Sequence, residues 1–433
     1  MFFQQDIETA KTEDIVKLQE AKLKKQVKYM YENIDFYKKS LDSAGVAPED
    51  ISSLADLQKL PFTLKQDLRD AYPFGLFAVG QKEVQRIHCS SGTTGKACVV
   101  GYTSQDISDW GDCTARALVA SGGSNNSMVQ VSYGYGLFTG GLGLHEGSAS
   151  LGATVVPTSS GNTKRQIQLL KDFKTDILCC TPSYALLIAD TAISMGLDPK
   201  VDFNLSSGIM GAEPFSSALR CEIEEKLGIK VFDIYGLSEI MGPGVACECS
   251  EHSGLHVCED HFIVEIIDPD TLQPVEDGQY GELVFTTLSK QCSPFIRYRT
   301  RDISRILPGT CPCGRTHRRI DRISGRTDDM LIIRGVNVFP SQFEEVIASN
   351  TELSPHYKIC LSRKGSLDHV ELFVETAQHF EFDEVRKIEA LKRKLASDLQ
   401  SNLQVSVDIK FVEPKTIERF EGKAKRVYDL RED

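Results

Sequence analysis

From residue 128 to residue 239, short apolar runs and helix-like segments take turns. The runs are 128–133, 153–157, 176–181 and 229–235, and the helix-like text between them covers 163–173, 183–196 and 214–227. Apolar runs of strand length separated by amphipathic segments imply βαβ units and hence a parallel sheet covered by helices. No other feature narrows the fold as far. In such sheets a ligand sits at the carboxyl ends of the strands, where the loops gather.

The flanking text differs. The first 60 residues read as helix, with Ile15, Leu18, Val27, Met30 and Ile34 recurring among lysines and glutamates. After Glu239 the segments 261–268, 281–288 and 296–301 are β-rich, and Asp277-Gly278 marks a turn. A second change comes near Arg326: strand-like 330–334, a helix over 340–350, a strand over 369–376, a charged helix over 382–403 and a strand over 405–412. The expected class is α/β. A large N-terminal domain over 1–327 would contain parallel sheets and a β subdomain at about 240–325. A small α+β domain would follow over 328–433.

Composition removes several functions. Lys plus Arg is 49 and Asp plus Glu 61, a net charge of −12, which does not suit a duplex-binding surface. No apolar run approaches the ~18 residues of a membrane span. The start, MFFQQDIETAKTED, lacks the pattern of a secretory signal. Thirteen cysteines, an odd number in a long chain, suit reduced thiols in the cytosol.

Five segments carry chemistry. Ser90-Ser91-Gly92-Thr93-Thr94-Gly95-Lys96 packs hydroxyls, glycines and a lysine into one turn. Glycines let backbone N–H groups close on an anion, hydroxyls donate to it, and lysine neutralises it, so a polyphosphate is the natural guest. The loop is not a Walker A, because Ala97 stands where that motif needs a hydroxyl and a serine stands where it needs its first glycine. Tyr235-Gly236-Leu237-Ser238-Glu239 puts a carboxylate past a strand end, where it can hold Mg²⁺ against phosphates. Tyr298-Arg299-Thr300-Arg301-Asp302 offers an acceptor for ribose hydroxyls, or simply an arginine–aspartate ion pair. Gly325-Arg326-Thr327-Asp328-Asp329, with Arg334-Gly335 after it, and Glu421-Gly422-Lys423-Ala424 complete the set.

In this order the five segments resemble the core motifs of the adenylate-forming superfamily. SSGTTGKACVVGYT (90–103), GPGVA (242–246), EDHF (259–262), IRYRTRD (296–302) and SGRTDDMLIIRGVNVFP (324–340) resemble the phenylacetate–CoA ligases over nearly the whole chain. The resemblance implies ATP-dependent joining of an aryl acid to coenzyme A through an acyl-adenylate. It implies that Ser90–Lys96 cradles the phosphates, with Thr94 and Lys96 at the β and γ positions. It makes Glu239 the Mg²⁺ ligand, Ser238 a neighbour of the α-phosphate, and Gly211-Ala212-Glu213-Pro214 the adenine wall. Asp233, Tyr235 and Gly236 join the nucleotide-binding group, Asp302 accepts the ribose hydroxyls, and Arg326 supports ribose and phosphate. Lys423 becomes the mobile catalytic lysine, Asp328 the hinge, and Arg334 and Gly335 part of the coenzyme A site. A homodimer is also implied.

Tyr133-Gly134-Tyr135-Gly136-Leu137-Phe138 closes the first strand, and aromatics beside glycines can make a slot for a ring. Tyr135 and Phe138, with Gly211 and Ala212 as floor, form the expected acyl pocket; core packing is the competing account of one or two of these rings. Cys247-Glu248-Cys249, His252 and His256 precede Cys311-Pro312-Cys313-Gly314. Thiolates and imidazole are good Zn²⁺ ligands, and four close a tetrahedral site. Cys249, His256, Cys311 and Cys313 are the expected structural zinc set, in line with zinc-bearing branches of the family, with Cys247 or His252 as substitutes.

Three other functions compete. An adenylating enzyme that passes its acyl group to a carrier protein or an amine would share every ATP-side motif. A zinc-ribbon interaction protein with an inert nucleotide fold predicts a damaged loop, yet Lys96, Glu239, Asp302 and Lys423 are present. A dehydrogenase needs a third glycine where Thr139 stands.

Overall fold

The computed structural model describes residues 1–90, 97–327, 331–334, 336–364, 367–377, 385–421 and 424–431. Among them, nine strands form the central sheet in the order Ile306–Leu307, Arg319–Ile320, Leu255–Val257, Gly242–Glu248, Lys230–Leu237, Ser207–Gly211, Ile177–Cys180, Met128–Val131 and Thr154–Val156. The last five are mutually parallel. Burial on both faces is complete at the centre of this group, where Ile177–Cys180 and Ser207–Gly211 are buried at every position. The covering helices start at their own sequence signals. Thr181 caps Pro182–Ser194 by accepting from Tyr184 N–H, and Ser216 caps Ser217–Leu227 by accepting from Leu219 N–H.

The strands Gly242–Glu248 and Leu255–Val257 differ from the expected β subdomain. They extend the large sheet in antiparallel fashion instead. The β subdomain proper is a four-stranded sheet of Phe262–Ile267, Gly281–Thr287, Tyr298–Ser304 and Gly325–Arg326. The N-terminal helix Thr12–Asn33 packs on it through Leu23, Val27 and Met30. Gln19 donates to the carbonyls of Glu259 and Phe262, and Gln26 to that of Lys290, so the helix is also pinned by polar groups.

The small domain has a four-stranded sheet ordered Asp408–Val412, Leu367–Thr376, Leu353–Lys364 and Val427–Asp429. Helices Pro340–Ala348 and Val385–Leu403 cover it, and Phe343, Ile359, Leu361, Leu372, Leu395 and Leu399 form its core. The expectations for 369–376, 382–403 and 405–412 fall on described elements whose bounds differ by a few residues. No described helix is long and apolar enough to cross a membrane.

Candidate active site and metal cluster

The parallel strand Lys230–Leu237 delivers Tyr235 and Gly236 to the edge of a cleft. Its lining also includes Gly211–Pro214, Asp233, Asp302, Arg326 and, from the small domain, Pro340 and Ser341. Glycine is required at two points beneath it. A Cβ on Gly236 would lie 1.6 Å from Gly242 O, and one on Gly211 would lie 2.2 Å from Ile234 O.

Asp302 is buried in the strand Tyr298–Ser304, opposite Arg326 in register. Arg326 Nη1 donates to its Oδ1 at 2.8 Å and the Tyr235 hydroxyl donates to its Oδ2 at 2.6 Å. A buried carboxylate needs such partners. Burial, and then the Asp302 charge, push the Tyr235 phenol well above its ordinary range, so it stays a donor. Burial and then the charge of Glu248 push the Asp233 carboxyl up to about 7, against the opposing charges of Arg220 and Arg322.

The segment after this strand is pinned from several sides. Ser238 Oγ lies 3.1 Å from Thr139 Oγ1, and Tyr102 OH donates to Met241 O. Lys290 is fully buried, donates to Ile240 O at 2.8 Å and sits 4.3 Å above the Tyr102 ring; burial pulls its pKa down to about 8. Glu239 is buried with Lys65 Nζ at 3.4 Å. Lys65 is a site neighbour that sequence reasoning missed, because nothing in the local text around it signals a partner 174 residues away.

Ser90 N–H donates to Cys98 O at 3.0 Å, which holds together the described residues on either side of 91–96. Ser91, Gly92, Thr93, Thr94, Gly95 and Lys96, together with Asp328, Gly335 and Lys423, expected as hinge, coenzyme A and catalytic residues, all lie outside the described residues. Arg334 is exposed on the small domain and bonds Asp368 and Ser406, away from the cleft lining. Gly211 and Ala212 line the cleft; Tyr135 and Phe138 do not appear in its lining. Tyr135 is half-buried with its hydroxyl 3.3 Å from His145 Nδ1, and Phe138 is 43% exposed at the start of the helix Thr139–Leu151. Tyr133, by contrast, is buried and accepts from Gly211 N–H at 2.9 Å.

Ligand atoms of Cys249, His256, Cys311 and Cys313 all lie within 4.8 Å of one another. Cys249 Sγ is 3.6 Å from Cys311 Sγ, and Cys313 Sγ is 3.5 Å from His256 Nε2. Burial pushes the Cys249 thiol up to about 12. Burial also opposes ionisation of Cys313, but the His256 imidazole and Arg315 N–H outweigh it and bring that thiol down to about 5. Cys247 packs instead into the apolar core with Ile209 and Ile234, and His252 accepts from Arg220 at 2.8 Å, so neither substitute belongs to the group.

Comparison with known proteins agrees with this geometry. Residues 7–289 match the AMP-binding enzyme family, and residues 335–431 match the AMP-binding enzyme C-terminal domain. The phenylacetate-coenzyme A ligase of Thermus thermophilus is 47% identical over 446 residues, covering all of both chains. That of Escherichia coli is 51% identical over 98% of this chain and 97% of its own. Among solved structures, 2-hydroxyisobutyryl-CoA ligase in the postadenylation state with R3-HIB-AMP superposes with a TM-score of 0.91 at 28% identity, over 99% of this chain and 92% of that chain. The same enzyme with 2-HIB-AMP and CoA in its thioesterification state gives 0.73 at 28% identity, over 100% and 93%. With both halves matched and end-to-end identities of this size, the chain belongs to the phenylacetate–CoA ligase family of adenylate-forming enzymes.

Proposed function

We propose that this chain activates phenylacetate or a related aryl acid with ATP and then transfers the acyl group to coenzyme A. The acid's carboxylate oxygen attacks the α-phosphorus, the bond to the bridging oxygen of pyrophosphate breaks, and pyrophosphate leaves. The coenzyme A thiolate then attacks the acyl carbon, and AMP leaves with the electron pair. One observation carries the reading: Asp302, Arg326 and the wall Gly211–Pro214 line a single cleft.

The first step joins two anions, so charge must be offset and water excluded. In this assignment Asp302 accepts both ribose hydroxyls and Arg326, already paired with it, supports the ribose and α-phosphate. Ser90–Lys96 holds the phosphate tail, with Ser238 nearby. Lys423 bridges carboxylate and α-phosphate, Asp328 acts as the hinge, and Arg334 and Gly335 serve coenzyme A. Tyr135 and Phe138 flank the aryl ring over Gly211 and Ala212. Glu239, a buried oxygen donor, suits Mg²⁺, which would supply positive charge to the departing pyrophosphate. Lys65 beside Glu239 adds further positive charge there.

The four-residue cluster fits structural Zn²⁺. Zn–S bonds of about 2.3 Å and Zn–N bonds of about 2.0 Å at tetrahedral angles give S···S edges of about 3.8 Å and S···N edges of about 3.5 Å. The corresponding separations here are 3.6 and 3.5 Å. The second ring nitrogen of His256, Nδ1, faces His317 O at 3.4 Å, which orients the imidazole. All thirteen cysteines are free, which supports a reducing, cytosolic setting. A homodimer is part of the same reading, and light scattering at about twice the 48.0 kDa chain mass checks it.

Pyrophosphate release with a panel of aryl and aliphatic acids, with and without coenzyme A, tests the assignment. A stoichiometric burst with phenylacetate that becomes turnover only when coenzyme A is added is the expected result. Steady turnover without coenzyme A would point to another acyl acceptor.

A further inference from the structure

Two carboxylates tie the domains together in opposite directions. Glu213 belongs to the large domain and is buried; its Oε1 accepts from Ser183 N–H at 2.7 Å, in the first turn of the helix Pro182–Ser194. Its Oε2 accepts from Ala424 N–H of the small domain at 3.0 Å. Glu344 lies on the small-domain helix Pro340–Ala348, and its Oε1 accepts from Ser216 N–H of the large domain at 3.0 Å. Its Oε2 accepts from Arg426 Nη1 at 2.6 Å and from Tyr357 OH at 3.3 Å. Positions 213 and 216 on one side are therefore laced to 424 and 344 on the other, with Arg426 packed at 4.7 Å over the Tyr357 ring beside them.

We propose that Glu213 and Glu344 form a reciprocal latch that holds the small domain in the arrangement used for acyl-adenylate formation and must open for thioester formation. The proposal rests on the two-step reading above. Three features support it. Each cross-domain bond joins a carboxylate oxygen to a backbone amide at 3.0 Å. Both bonds run between the same two bodies, so one rotation breaks both. Each carboxylate also keeps a partner within its own domain: Ser183 N–H for Glu213, and Arg426 and Tyr357 for Glu344. Opening therefore leaves neither charge bare, which a permanent clamp would not need and a reversible one does. The arrangement seen here superposes at 0.91 on the postadenylation state of 2-hydroxyisobutyryl-CoA ligase and at 0.73 on its thioesterification state.

A two-state balance of this kind responds to loss of a contact made in only one state. The test uses the full chain and measures two rates separately: first-turnover pyrophosphate release from ATP and aryl acid, and thioester formation from supplied aryl-adenylate and coenzyme A. Glu344→Ala is expected to slow the first by about ten- to a hundredfold and to leave the second within about twofold or faster. Glu344→Gln keeps the shape and one acceptor, so it should fall between Glu344→Ala and the native chain and serves if the alanine variant folds poorly. Equal losses in both rates, or an unchanged first rate, overturn the latch. If the native chain releases no pyrophosphate with any aryl acid, the two-step reading falls and the latch with it; if it does and the variants match it, only the latch falls.

Discussion

The nucleotide cleft and the cysteine–histidine cluster satisfy their polar groups in opposite ways. In the cleft, protein side chains satisfy one another: Tyr235 and Arg326 bond Asp302, and Lys65 meets Glu239. Such bonds can be exchanged for those of a ligand, because each partner is a side chain that can turn away. In the cluster, four donors lie within 4.8 Å of one another, two of the pairs at 3.5–3.6 Å, and under the proposed zinc assignment a single ion would satisfy all of them. The cleft is thus built to bind and release. On the proposed zinc assignment the cluster would close once, joining the Cys311–Cys313 turn to the end of the strand Gly242–Glu248.

That contrast fixes what each region should lose on mutation. The largest effect belongs to the reacting centre: Lys423→Ala should cut acyl-adenylate formation by about 10³-fold or more and thioester formation from supplied acyl-adenylate far less. Comparable losses in both would remove the assigned role. Next, Cys311→Ser should lower stability by about 3 kcal/mol, since losing a buried metal ligand is among the costliest single changes. Zinc content should fall from one per chain while the rate per folded molecule changes little. Elemental analysis beside thermal unfolding reads this, and a native chain without zinc would erase the contrast. Smaller again is Asp302→Asn, which keeps the shape but weakens the bonds to Arg326 and the ribose. About 2 kcal/mol, or roughly thirtyfold in kcat/KM for ATP, is expected, with the melting temperature nearly unchanged.

How far the sequence discloses each region follows from the range of the interactions. Four of the five parallel strands are legible because burial on both faces writes itself as an apolar run; Ser207–Gly211, where Ser207, Gly208 and Gly211 interrupt the apolar text, is not among the runs read from the sequence. The strand Leu353–Lys364 is not legible in the sequence, although Tyr357, Ile359 and Leu361 are buried at alternate positions; Pro355 and the intervening Lys358 and Cys360 hide the period. Val427–Asp429 has three residues and exists only through parallel pairing with that strand, so no local pattern could give it. The same holds for Gly242–Glu248, whose composition is equally suited to either sheet until its neighbour Lys230–Leu237 is known. In the site, residue type singled out Asp302, which the fold places in the cleft lining. The pairings Tyr235–Asp302 and Lys65–Glu239 join distant segments and were not visible. Cys249 could be told from Cys247 only in the fold, where Cys247 lies within a strand and turns into the core, while Cys249 falls just past the strand's end.

The smallest effect sharpens the account of the cleft as a place where charge waits for a ligand. Asp233 lines it with its carboxyl pushed up to about 7, chiefly by burial and then by Glu248. In the unfolded chain the same carboxyl titrates near its ordinary 3.8. Between those values the native state keeps a proton that the unfolded state has released. The stability this group contributes is therefore complete below about pH 4 and declines as pH rises through about 7. Asp233→Asn mimics the protonated form and removes that decline. Relative to the native chain, the variant should gain about 1 kcal/mol between pH 5 and pH 8, the water-facing side of the cleft limiting the size. Urea unfolding midpoints at the two pH values measure it. Parallel changes in both proteins would mean that Asp233 is already ionised at pH 5, and that Arg220 and Arg322 outweigh its burial.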